Sequence, residues 1–233
     1  MAERKGTMTE RERVEALLRR EKPDRIPIWP FGSGVATVYT GTSIADAYNK
    51  PKVSYEAQKK TARDFGWVFW PLMAYASYGS WEFGGDIKWP SGEFAQAPMV
   101  TRNPVETEDD VWKLKTPDVA TAGFIPIMTD FYKIASQERL DNEPFNVMAM
   151  VGGPFSVAGV IAGPDKLCKW TLKKPDVAHH LIRLATDHMI DLAEYWHSLF
   201  GVEGVLPFTG EAVASNQLIS AKTFEEFVLP YMW

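Results

Sequence analysis

Two glutamates fifteen positions apart, Glu211 and Glu226, are the residues of this sequence best placed to carry chemistry. Glu211 follows Gly204–Phe208, a short apolar run that reads as a buried strand. An acid at the mouth of a buried strand can bind a metal or move a proton, and α/β barrels keep their chemistry at that end. The same place also suits a loop acid that only accepts bonds from backbone amides. Glu226 falls in what read as the first turns of the next helix, where a carboxylate is favourable against the helix dipole in any case. For both acids the functional and the structural reading stay open.

The other groups that could react are fewer. His179, His180, His188 and His197 all lie on one predicted helix, 175–200. His188-x-x-Asp191 has a spacing that could share a metal, but a barrel helix runs along the outside, so the pattern predicts a solvated histidine face. Cys168 has no neighbouring base and reads as a small apolar residue; being the only cysteine, it excludes a disulfide framework and any Cys-x-x-Cys metal site in this chain. Nine Trp, thirteen Phe and eight Tyr form a heavy aromatic load, which fits an aromatic core as well as a pocket for a flat apolar ligand. Trp29, Phe31, Trp70, Tyr75 and Phe155 each follow a predicted strand end and are the candidates to line such a pocket.

The elements that must position these groups alternate between strand and helix. Apolar runs at Arg25–Trp29, Trp67–Trp70, Phe145–Val151 and Gly204–Phe208 predict four buried strands. Between them come a helix opened by the capping box Thr9-Glu-Arg-Glu12 and ended by Lys22-Pro23, with Val14, Leu17 and Leu18 on its apolar face. A helix over Pro51–Phe65 with Gly66 as its stop follows, then helical stretches near 107–115, 121–139, 155–161 and 164–173, and the long helix Pro175–Phe200. Residues 35–50 show no clear pattern. Turn signals at Gly84-Gly85 and Pro90-Ser-Gly92 predict a β-hairpin excursion near 81–100. Strands separated by helices imply a parallel sheet in one α/β domain over residues 1–233. A net charge of −5 argues against nucleic acid. No apolar run is long enough for a membrane span, and the charged start shows no signal peptide, which points to the cytoplasm.

The order of segments resembles the uroporphyrinogen decarboxylase-like superfamily. The similar pieces are Thr9-Glu-Arg-Glu-Arg-Val-Glu-Ala-Leu-Leu18 with Pro23-Asp-Arg-Ile-Pro-Ile-Trp29, then Gly153-Pro-Phe-Ser-Val-Ala-Gly-Val-Ile-Ala-Gly163, then Leu218-Ile-Ser220 with Phe224-Glu-Glu-Phe-Val-Leu-Pro-Tyr231. The resemblance implies a (β/α)8 TIM barrel, of which four strands would be about the first half. If the chain ends at Trp233, such a half has open sheet edges and is expected to self-associate as a homo-oligomer.

That superfamily holds decarboxylases and corrinoid-dependent methyltransferases. Its decarboxylases carry arginines after the first strand and an aspartate after the second, to hold a polyanionic porphyrinogen. This chain has Pro30-Phe-Gly-Ser-Gly34 and Pro71-Leu-Met-Ala-Tyr75 there, so the lyase reading is disfavoured. Methyltransferases acting on coenzyme M hold zinc through a His-x-Cys and a later Cys, which would fall beyond this stretch. The O-demethylase type holds it through two glutamates fifteen apart and a later histidine. Glu211 and Glu226 match that first interval, with Glu225 as an alternative by a one-residue shift. The resemblance thus implies a methyltransferase that moves a methyl group from a small methoxylated or similar donor to a cobalt corrinoid on a partner protein, with zinc as Lewis acid and Glu211 as the catalytic ligand. The rivals are a uroporphyrinogen decarboxylase-type lyase and a non-catalytic barrel relic or binding module.

Overall fold

The computed structural model describes residues 6–30, 33–91, 97–138, 147–150 and 152–232. The chain divides into two compact units: Met1–Met73, Ser91–Gln96 and Asp130–Asn146 form unit 1, and Ala74–Pro90, Ala97–Thr129 and Val147–Trp233 form unit 2.

In unit 1 the capping box at Thr9 forms as predicted and opens α1, Glu10–Leu18. The helix stops earlier than Lys22-Pro23. Arg20 adopts φ +59°, and the bonds Glu21 N–H to Ala16 C=O and Arg20 N–H to Leu17 C=O close it as a Schellman turn. Its buried face is also not the predicted one: Leu17 and Leu18 are exposed, while Arg13 and Ala16 are buried. The reason is electrostatic, because the Arg13 guanidinium grips Asp24 through Nε (2.6 Å) and Nη2 (3.1 Å) and turns that face inward. The unpatterned stretch folds as α2, Ser33–Thr40, and α3, Ile44–Asn49, both packed on α4, Pro51–Phe65. α4 begins with Pro at its first position and ends on Gly66 in the left-handed region, as its sequence predicts. Its face of Ser54, Tyr55, Ala57, Thr61 and Ala62 is buried.

The first two predicted strands do not form. Arg25–Trp29 and Trp67–Trp70 share one backbone bond, Val68 N–H to Ile28 C=O at 2.9 Å, and neither is a strand. Ile26 is 81% exposed and Ile28 55%, so the first segment is not buried either. Pro27, Pro30 and Pro71 remove the donors that a ladder would need.

Unit 2 begins with the hairpin. β1, Asp86–Lys88, pairs antiparallel with β2, Met99–Arg102, so a hairpin forms in the predicted region and its second strand runs two residues past it. Trp81–Phe83 is a turn, and Glu93–Gln96 lies outside the described residues. α5, Glu108–Lys113, has its own capping box on Thr107, and α6, Ile125–Glu138, belongs to this unit only as far as Thr129. β3, Val147–Met150, pairs parallel with β4, Val205–Phe208, in the register Val147 to Val205 through Met150 to Phe208. Between them run α7, Pro154–Ala162, α8, Pro164–Lys173, and α9, Pro175–Phe200, all within two residues of their predicted spans. α7 has no polar face, and it is buried almost throughout between α8 and α9. α10, Ala221–Phe227, is capped by Ser220. Among the described residues, no helix is long and apolar enough to cross a membrane.

The histidines do not share a solvated face. His188 is buried on α9, with Nε2 2.7 Å from the Tyr78 hydroxyl and the Phe83 ring edge-on to it. Glu82 is also buried and accepts from the Tyr75 hydroxyl, the Gly79 N–H and the Phe124 N–H. Burial raises the Glu82 carboxyl above its ordinary pKa, against those donors. His179 stacks on Phe227 at 4.3 Å and pairs with the Tyr231 hydroxyl, and His180 stacks on Trp112. The periodicity of α9 missed this because elements distant in sequence supply the partners.

Burial pushes the His188 imidazole down to about pKa 4. The folded chain therefore keeps the ring neutral, whereas the unfolded chain protonates it below about pH 6.5. Its contribution to stability is present above that pH and is lost as pH falls toward 4, by about 3 kcal/mol. Urea unfolding between pH 7 and 4.5 should show that slope in the wild type and a shallower one in H188Q. Equal slopes would mean that His188 does not titrate this way.

Candidate functional site

The site grows out of the carboxyl ends of β3 and β4, where parallel strands direct their following loops to one side. After β3 the chain turns through Gly152 (φ +92°) and Gly153 into the first turn of α7. After β4 it enters the loop that carries Glu211. The two loops stay in register past the strands, through Gly153 N–H to Gly210 C=O at 2.9 Å and the Thr209 hydroxyl to Gly152 C=O at 3.3 Å.

Glu211 points into the open end of α7. Its Oε1 accepts the Phe155 N–H at 3.0 Å, and its Oε2 accepts the Ser156 N–H at 2.8 Å and the Ser156 hydroxyl at 2.7 Å. These are amides a helix leaves unpaired at its start, and the positive end of the helix dipole favours the carboxylate. Pro154 suits the first helical position because it lacks a donor there. Burial raises the Glu211 carboxyl above its ordinary pKa, while Ser156 and Phe155 pull it back down. Each carboxylate oxygen has two lone pairs. Among the described residues, both on Oε2 are taken and one on Oε1 is open.

The remaining candidates are dispersed. Glu226 is solvent-exposed on α10 and stands next to that helix's last residue, not in its first turns, because α10 ends at Phe227 and passes into a 3-10 turn at Leu229–Tyr231. There the dipole no longer favours an acid. Phe155 joins Glu211 through its backbone, but its ring is buried. Tyr75 is buried as well, with its hydroxyl on Glu82. In unit 1, Trp29 and Trp70 come together with ring centroids 5.2 Å apart, and the Trp29 indole N–H donates to the Trp70 carbonyl. They line a cavity of about 40 Å3 with Gln58, Thr61 and Leu72. That space suits a small group; an aromatic ring needs nearer ~150 Å3. Phe31 lies outside the described residues.

As a zinc site the described residues are incomplete. A four-coordinate site with an open position needs three protein ligands. Among the described residues no group of three His, Cys, Asp or Glu could hold a metal ion. Glu211 has one lone pair to offer, and Glu226 is an exposed acid on a separate helix. The donor set does not fit a resident ion by itself.

Sequence reasoning missed Ser156 and Gly153. The available signal was Gly152-Gly-Pro-Phe-Ser156 itself, a strand-to-helix turn with a hydroxyl at the third helical position. A Cβ on Gly153 would meet the Glu211 carboxyl carbon at 2.2 Å. Gly153→Ala should therefore evict the carboxylate and lower stability by about 1–3 kcal/mol, the usual cost of stranding buried polar groups. Chemical denaturation would measure it, and an unchanged midpoint would mean that the loop yields without loss.

The uroporphyrinogen decarboxylase (URO-D) family model matches residues 9–233. A methylated-thiol–coenzyme M methyltransferase of Methanosarcina mazei is 37% identical over 84 residues, which are 36% of this chain and 22% of that protein. A solved methyltransferase from Methanosarcina mazei superposes with a TM-score of 0.79 at 21% identity, over 96% of this chain and 65% of the other. The chain thus spans less than two thirds of the relatives it matches. The likeness supports a TIM-barrel-like α/β fold, though a half barrel does not follow from it. From Thr9 to its last residue, the chain belongs to the uroporphyrinogen decarboxylase family.

Proposed function

We propose that this chain is part of a methyltransferase that takes a methyl group from an oxygen or sulfur of a small donor and passes it to a cobalt corrinoid on a partner protein. The observation that carries this reading is the Glu211 carboxyl at the ends of β3 and β4, held by α7 with one open position on Oε1. Support for the reaction class comes from the methyltransferase relatives, one of which is named for methylated thiols. That name widens the donor class beyond the methoxylated compounds of the O-demethylase type.

The corrinoid, when its carrier protein docks, supplies the acceptor for the methyl group. The carbon–heteroatom bond breaks with its electron pair going to oxygen or sulfur, which must then gain a proton. Glu211 is suited to give it. Its raised pKa keeps the carboxyl protonated to higher pH than a free glutamate, and Oε1 accepts only one of α7's donors, the Phe155 N–H. The N-terminus of α7 then stabilises the carboxylate left behind. Zinc, implied by the resemblance, would act on the same heteroatom as a Lewis acid. Its ligand set is incomplete among the described residues.

The test uses the full-length protein with dimethyl sulfide or 2-methoxyphenol as donor and free reduced cobalamin as acceptor, followed by absorbance. Wild type should transfer the methyl group, and Glu211→Ala should lower kcat by about 100- to 10,000-fold, the range for a lost general acid. Full activity in Glu211→Ala, or carbon dioxide release from uroporphyrinogen in place of methyl transfer, would overturn the proposal.

A further inference from the structure

We propose that Ser156 is a positioning residue that sets the orientation of the Glu211 carboxyl, an inference that deepens the methyl-transfer reading and rests on it for its kinetic readout. Ser156 contributes two of the three bonds that hold Glu211, its backbone N–H at 2.8 Å and its hydroxyl at 2.7 Å, and both end on Oε2. The hydroxyl in turn accepts the Val213 N–H at 3.0 Å. A serine hydroxyl has one hydrogen to give. With that hydrogen on Oε2 and Val213 donating from behind, the Ser156 rotamer is fixed from both sides.

Ser156 is itself buried, so water cannot readily replace either bond. The result is a closed circuit: α7 holds Glu211 through Ser156, and the loop after Glu211 holds Ser156 through Val213. Close packing protects it. A Cβ at Gly159, one turn along α7, would meet Val213 at 3.2 Å, so that loop lies directly on the helix. Because the circuit saturates Oε2, Oε1 is left as the oxygen able to exchange a proton with a bound donor. Ser156 never touches the reacting atoms. It acts by keeping Glu211 from swinging away from α7, and a displacement of about 1 Å at a catalytic group can cost on the order of 100-fold in rate.

The experiment combines kinetics with crystallography on the full-length protein, using dimethyl sulfide or 2-methoxyphenol and free reduced cobalamin as probes. Ser156→Ala should lower kcat about 10- to 100-fold with KM within about twofold, since only the geometry of the acid changes. Ser156→Thr, which keeps the hydroxyl, should recover most of that loss. In a Glu211→Ala background, Ser156→Ala should add no further loss, because its effect passes through Glu211. The crystal structure of Ser156→Ala should show the Glu211 carboxyl displaced from the start of α7, and this readout stands even if the wild type transfers no methyl group. A wild-type kcat in Ser156→Ala, an equal loss in both backgrounds, or an unmoved carboxyl would overturn the role of Ser156. Wild-type rates in Glu211→Ala would instead sink the reading of Glu211 as the acid, and the crystal structure would still judge Ser156. If Ser156→Thr fails to fold, the two-background comparison decides.

Discussion

The contact on which unit 2 depends is the one between a carboxylate and the open end of a helix. A parallel strand pair leaves two loops side by side with little to bind them, and the first of those loops becomes a helix with unpaired amides. Glu211 solves both problems at once, since it satisfies the first turn of α7 and ties the β4 loop to it. Bonds to a charged group each contribute about 1.5–3 kcal/mol. Against them stands the desolvation of a half-buried carboxyl, and the upward pKa shift shows that desolvation is the larger effect on the proton equilibrium. The group is held firmly in place yet keeps a tendency to take up a proton. That combination is what the proposed acid role of Glu211 requires.

The same balance recurs at Glu82, where it gives a different result. Glu82 is buried and uses both oxygens against the Tyr75 hydroxyl and two backbone amides. Gly123 has to be glycine here, because a Cβ would meet Glu82 Oε1 at 2.7 Å. The clasp holds the 75–83 turn to the start of α6. Both glutamates have raised pKa values from burial, so the shift alone does not mark function; what distinguishes Glu211 is its place at the strand ends and its open oxygen.

Sequence reading succeeded where signals were local. Thr9 with Glu12, Pro51 with Gly66, and the Pro175–Gly201 limits of the long helix each encode their own ends through caps and forbidden dihedrals, and the structure places them there. It failed where a residue's surroundings come from afar. Ile26 and Ile28 look like a buried strand, yet prolines on both sides deny them a ladder. His188 looks like one more exposed position on α9 until Tyr78 and Phe83, more than a hundred residues earlier, close over it. The helix after Glu211 was legible but its length was not. Glu226 therefore reads as a residue of the first turns, although α10 ends one residue after it.

The unequal standing of the two glutamates follows from these facts. Matching an interval of fifteen treats them as equivalent, but interval says nothing about environment. Glu211 has lost water, gained three donors and kept one lone pair, so its affinity for a proton or a cation depends on the fold. Glu226 keeps its hydration at the end of a short helix, and desolvating it would cost energy that no described neighbour returns. Any ligand that used both would have to bring Glu226 out of water by ordering what lies around it, whereas at Glu211 folding has already done that work. The proposed chemistry of this chain therefore rests on the place where β3, β4 and α7 meet.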